Sequence, residues 1–229
     1  MIVTSRFVFL HLHKSGGTFV NRFLLTHFPD AVVVGYHLPL AALPAEFGQR
    51  PVFGLVRNPW DYYVSWYAFQ QTRAQPNVLF LAASDDGRLG FNDTIRNLVR
   101  LGEDPARLAR VAAGLPDSFT NRGINLTRAC IASLAGSPLG FYSWLFDRMY
   151  GTAARVTVGR METLRADLRQ FLSTQAVPLD PAMNAFLDHQ PPLNTSEHPA
   201  RDAMYEPSLI ALVGARDRPV IDRFQYRFD

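Results

Sequence analysis

The stretch FVFLHLHKSGGTFVNRFL, Phe7 to Leu24, limits what this chain can become more than any other. It reads as a short apolar strand over Phe7–Leu12, a turn of His13, Lys14, Ser15, Gly16 and Gly17, and a helix opening near Thr18. A strand, a glycine turn and a helix N-terminus together make an anion cradle. The glycines let the backbone curl, successive N–H groups point inward, and the helix dipole favours negative charge. An ordinary βα turn with incidental glycines reads the same way, but one count favours the cradle. Of the 23 Lys and Arg residues, Lys14 is the only lysine. A compact ammonium on a flexible stem suits a transferring anionic group, and this chain spends its single one inside the loop.

The 229 residues fit one domain, 1–229, with a mostly helical insertion around 76–150. Hydrophobic residues at 48% and charged residues at 19% describe an ordinary soluble globular chain. The net charge of +3 is modest and the arginines are scattered, which argues against a nucleic-acid partner. The one cysteine, Cys130, forbids an intramolecular disulfide and fits a reducing compartment. No apolar run reaches membrane-spanning length and no secretion signal opens the chain, so a cytoplasmic protein is expected and the sequons at Asn92, Asn125 and Asn194 read as chance matches.

Further along, AVVVG (Ala31–Gly35) reads as a second buried strand, leading into Tyr36-His37-Leu38-Pro39, and PVFGLV (Pro51–Val56) as a third. DYYVSWYAFQQTRA then reads as a helix with Asp61 as N-cap. Residues 76–149 look mostly helical, including a helix capped by Asp104-Pro105 and ended by Gly114. RVTVG (Arg155–Gly159) is a fourth strand and Glu162–Gln175 a helix. Val177–Arg201, rich in Pro and Asn, reads as a long loop, and a final helix starts near Glu206-Pro207. Strands alternating with helices imply an α/β fold with a central parallel sheet flanked by helices.

Two segments carry the chemistry, HLHKSGGTFV and, about forty residues on, LVRNPWDYYVSWY. Both follow the C-terminal ends of expected strands, where α/β sheets bind ligands. With these motifs the chain resembles the sulfotransferases that use 3′-phosphoadenosine 5′-phosphosulfate (PAPS). HKSGGT is similar to that family's 5′-phosphosulfate loop. RNPWDYYVS is similar to its 3′-phosphate motif, with Arg57 and Ser65 eight residues apart. GRMETL (Gly159–Leu164) is similar to the family's last strand and helix start, as is the FQY near the C-terminus to its closing segment. His11, Lys14, Gly16, Gly17 and Thr18 match the carbohydrate-modifying branch, whose loop often reads His-x-Pro-Lys-x-Gly-Gly-Thr. His13 stands where that pattern has Pro, and Phe19 where the phenol-type pattern has Trp.

The resemblance implies a three-layer P-loop-type fold, PAPS as donor, PAP as product and no metal. It implies a saccharide or other small-molecule hydroxyl as acceptor, with no nucleic acid and no membrane span. Lys14, Ser15, Gly16, Gly17, Thr18 and Phe19 would line the phosphosulfate site, with Arg57 and Ser65 on the 3′-phosphate and the 194–201 loop completing the nucleotide site. His37, after the second strand, would take the acceptor proton in an in-line transfer while Lys14 steadies the leaving phosphate. The bland alternative for His37 is a histidine packed at a strand end; His11 reads as buried and hydrogen-bonded. A nucleotide-dependent kinase shares the loop physics, but GxxxxGK[ST] is absent and no Asp ends an apolar strand to hold Mg²⁺. A binding module that keeps the fold without activity is the remaining alternative.

Overall fold

The computed structural model of the chain describes residues 1–120, 123–152, 155–193 and 198–228. Its strands are β1 (Ile2–Val3), β2 (Val8–Leu10), β3 (Val32–Val33), β4 (Val52–Val56) and β5 (Val156–Arg160). The helices are α1 (Gly17–His27), α2 (Pro59–Gln71), α3 (Val78–Ala83), α4 (Phe91–Val99), α5 (Pro105–Ala113) and α6 (Arg128–Ala132). They continue as α7 (Phe141–Tyr150), α8 (Leu164–Thr174), α9 (Pro181–His189), α10 (Arg201–Met204), α11 (Pro207–Arg216) and α12 (Arg218–Phe224). The chain divides into two compact units, Met1–Arg57 with Asp147–Thr195, and Asn58–Phe146 with Ser196–Asp229.

The first unit holds an open five-stranded sheet in the order β3-β1-β2-β4-β5. β2, β4 and β5 run parallel, with Val8 opposite Val52 and Val52 opposite Val156. The sheet is mixed rather than parallel throughout, because β1 lies antiparallel to both β2 and β3. The cause is local. Thr4 N–H donates to Phe7 O at 2.9 Å and Phe7 N–H to Thr4 Oγ1 at 3.0 Å, closing a tight hairpin that can only join antiparallel strands. The run read as a buried second strand is an exposed edge instead: Val32 is 61% and Val33 38% exposed, with β1 as their only neighbour in the sheet order.

One sheet face carries an aromatic core. Phe7 meets Phe171 edge-on at 5.3 Å, Phe53 stacks on Phe171 at 4.8 Å, and Phe23, Leu168, Met183 and Leu187 join them from α1, α8 and α9. α9 corrects the long-loop expectation. Asp180 caps it by accepting from Met183 N–H at 2.7 Å, Pro181 occupies its first position, and Met183 and Leu187 fall one helical turn apart on the buried side. In β4, a Cβ on Gly54 would lie 2.1 Å from the Tyr150 ring. That close approach lets the Tyr150 hydroxyl donate to Leu55 O at 2.7 Å and accept from Leu55 N–H at 2.9 Å, one residue past the last β2–β4 pair.

The second unit is helical among its described residues, and 76–149 supplies α3 to α6 and most of α7, as the pattern predicts. Asp104 caps α5 and Gly114 follows its end, also as read. α2 begins three residues earlier than expected: Asn58, not Asp61, accepts from Trp60 N–H at 3.1 Å, Pro59 is first in the helix, and Asp61 sits in the first turn. Except for Asp61 and Phe69, Pro59 to Gln70 is buried, so the aromatic segment is core. Asp217 is wholly buried, accepting from Tyr63 Oη–H and Ser143 N–H, each at 2.7 Å, and burial raises its carboxyl to about 6. No described helix is long and apolar enough to cross a membrane.

Candidate functional site

The candidate site lies in the first unit, where β2 gives way to α1. Past Leu10 the chain turns through His13 to Gly16, with Lys14 at φ 59° and Gly16 at φ 81°. Gly16 precedes α1 with no side-chain cap, and the helix's first turn carries no acidic residue, so nothing in that turn competes with an incoming anion. The two glycines are needed for different reasons. Gly16 adopts a left-handed backbone and abuts Leu164; a Cβ on Gly17 would lie 1.9 Å from Cδ2 of His11.

His11 is therefore packed against the start of α1. Its buried ring fills the space that Gly17 leaves, stacks on Phe9 and has Nδ1 3.3 Å from the Asn21 amide nitrogen. Sequence reading left Asn21 out; it lies on α1, and only the return of that helix past the strand brings it to the ring. The expectation that His11 is buried and hydrogen-bonded holds.

His37 comes to the same place from the segment after β3. Its Nδ1–H donates to the His11 carbonyl at 2.9 Å, an assignment made from the bond itself, which leaves Nε2 as the basic nitrogen. The His37 backbone is left-handed, φ 53°, an uncommon conformation for a residue with a side chain. Its ring centroid is 4.4 Å from that of His11 and 5.3 Å from that of His13. Burial pulls His37 down to about 4, against an opposing effect of the His11 carbonyl. Burial first, then neighbouring positive charge, holds His11 and His13 well below the ordinary imidazole range as well. Three of the chain's six histidines thus stand together and neutral at pH 7.

Lys14 is half-buried, and burial together with the Arg57 charge lowers its ammonium to about 8. Arg57, leaving β4, donates from Nη1 to the Lys14 carbonyl at 3.3 Å, so the two cationic residues named from the sequence do meet. Thr18 is half-buried in the first turn of α1. Ser15 is fully buried and its hydroxyl donates to the His13 carbonyl at 3.4 Å. Phe19 turns inward, its ring 5.2 Å from Phe186 and under the Arg165 guanidinium. Ser65 belongs to the second unit, where it is buried in α2. Of the 194–201 loop, 194–197 lie outside the described residues.

Among the described residues, no group of three His, Cys, Asp or Glu side chains is placed to hold a metal ion. Compared with known protein families and with curated proteins, the chain matches none.

Proposed function

We propose that this chain is a PAPS-dependent sulfotransferase acting on an acceptor hydroxyl, with carbohydrate as the acceptor class. The observation that carries the reading is His37: a neutral imidazole, its Nδ1–H held by the His11 carbonyl and its Nε2 left basic, beside an uncapped helix N-terminus that also holds Lys14. The donor fits the residues present. Gly16 gives the turn its left-handed backbone, and Lys14 with the first N–H groups of α1 offers positive charge and donors to a phosphosulfate, with Arg57 beside the turn for the 3′-phosphate.

His37 Nε2 takes the acceptor proton, and the freed oxygen forms a bond to sulfur. The bond from sulfur to the bridging phosphate oxygen breaks, and the electron pair stays on that oxygen. Lys14 and the loop N–H groups stabilise the charge that grows there. The products are a sulfate ester and adenosine 3′,5′-bisphosphate. Arg57 is assigned to the 3′-phosphate.

The test is transfer of labelled sulfur from PAPS to a panel of saccharides, without added metal. Label on a saccharide that disappears with Lys14→Ala supports the reading. A chain that ignores PAPS and moves the γ-phosphate of ATP would be a kinase, and one that binds PAPS yet labels nothing would be a binding module.

A further inference from the structure

Resting on the reading of His37 as the base, we propose that Asn21 is a positioning residue: through the ring and carbonyl of His11 it sets the tautomer and orientation of His37. The three residues are joined by direct contacts within the first unit. The Asn21 amide nitrogen lies 3.3 Å from His11 Nδ1, and the His11 carbonyl lies 2.9 Å from His37 Nδ1. The two imidazoles also pack together, their centroids 4.4 Å apart. Asn21 stands four residues after Gly17, so both lie on one side of α1. On that side Gly17 leaves room for the Cδ2–Nε2 edge of the His11 ring, and Asn21 meets its Nδ1. The helix face fits the imidazole at both edges.

The groups themselves set the direction of both bonds. A carbonyl only accepts, so His37 carries its proton on Nδ1 and leaves Nε2 bare. An amide nitrogen only donates, so His11 Nδ1 is bare and its proton sits on Nε2, an assignment made from the bond. Packing against Phe9 and Gly17 fixes the plane of the His11 ring but not which edge meets Asn21, because a half-turn about its outer torsion exchanges atoms of similar size. The amide makes that choice: among the described residues it is the ring's one hydrogen-bond partner. His11 also lies past the last β2–β4 pair, Leu10 with Gly54, and its carbonyl takes its partner from the His37 side chain. Without the amide, Nδ1 is a buried acceptor lacking a donor. The ring turns to find one, the carbonyl shifts with it, and His37 loses what keeps its proton on Nδ1. A His37 with its proton on Nε2 cannot accept another at that atom.

The experiment reads the ring-nitrogen signals of the histidines by NMR in labelled protein at neutral pH, where protonated and bare nitrogens are told apart and each ring is assigned through its own backbone. In the parent, the proton should sit on Nε2 of His11 and on Nδ1 of His37; a His37 protonated on Nε2 overturns the inference at once. Asn21→Leu, similar in size, should leave His37 as a mixture of both tautomers. It should also lower sulfur transfer by about tenfold or more while nucleotide affinity holds, the split expected when a base is misaligned. Lost thermal stability with both rings unchanged would make Asn21 a packing residue and sink the proposal. Should Asn21→Leu fail to fold, Asn21→Asp keeps the shape and turns an acceptor to Nδ1. The His11 proton should then move to Nδ1 while His37 stays as in the parent, and an unmoved His11 overturns the inference. A parent that transfers no sulfur from PAPS defeats the proposed function alone, because the ring signals decide the role of Asn21 without any turnover.

Discussion

Gly17→Ala should be among the most disruptive single-methyl additions available in this chain, and the reason can be worked from distances. The new Cβ would lie 1.9 Å from His11 Cδ2 and 2.3 Å from its Nε2, where carbon contacts settle near about 3.5–4.0 Å. The ring would have to retreat by about 1.6 Å or more to reach that spacing. It has little room: His11 is buried, stacks on Phe9, and is held at Nδ1 by Asn21, while its own carbonyl carries His37. Overpacking of this kind costs about 1–3 kcal/mol. In a His11→Ala background the clash is gone, and alanine at the start of α1 should be neutral or gain up to about 1 kcal/mol from helix propensity. The two substitutions should therefore couple by about 1–3 kcal/mol. Urea unfolding of the four proteins of the cycle measures this, provided the slopes agree. An equal cost for Gly17→Ala in both backgrounds would refute the claim that the His11 ring is what demands glycine at 17.

Other outcomes follow from the same geometry. Arg57→Ala should weaken adenosine 3′,5′-bisphosphate by about 1.5–3 kcal/mol, and Arg57→Lys should recover only part; an equal loss for a nucleotide without the 3′-phosphate would move Arg57 elsewhere. His37→Ala should leave nucleotide affinity nearly intact while lowering turnover by about 10²–10⁴-fold; parallel loss of stability and activity would make it a packing residue. In acid, the folded chain must charge a His37 held down to about 4 from 6.5, so it binds fewer protons folded than unfolded, and its contribution is complete above pH 6.5 and declines towards 4. Asp217, raised from 3.8 to about 6, acts with the opposite sign across much of that window. His37→Gln should therefore lose less stability than the parent between pH 7 and 5, and an unchanged slope would contradict the assignment.

The strand–turn–helix order of the first segment was legible because its parts are local. Alternation in FVFLHL, the glycine pair and the apolar spacing of α1 all fall within one short run, and the caps of α5 announce themselves by residue type. What was missed depends on partners far along the chain. β1 has two residues, too few to show a period, and only the Thr4–Phe7 hairpin makes it a strand. α9 lies among prolines and asparagines, and its Met183–Leu187 spacing matters only against the aromatic core. Asp61 is a good capping residue type, but Asn58 stands directly before a proline suited to the first helical position and takes the role. The triple-histidine cluster forms because the His37 side chain bonds the His11 carbonyl, 26 residues away in sequence, and sets its ring against His11 and His13, which no local pattern could signal.

The central claim is that the turn between β2 and α1, with Arg57, holds a 3′-phosphorylated adenine nucleotide. Thermal unfolding with adenosine 3′,5′-bisphosphate, adenosine 5′-monophosphate or ATP–Mg²⁺ tests it most directly, since a ligand at about 100 times its Kd stabilises by about 2.7 kcal/mol. The account predicts a clear rise in Tm with the bisphosphate, a much smaller one with the monophosphate, and little with ATP–Mg²⁺. Equal or greater stabilisation by ATP–Mg²⁺ would contradict it.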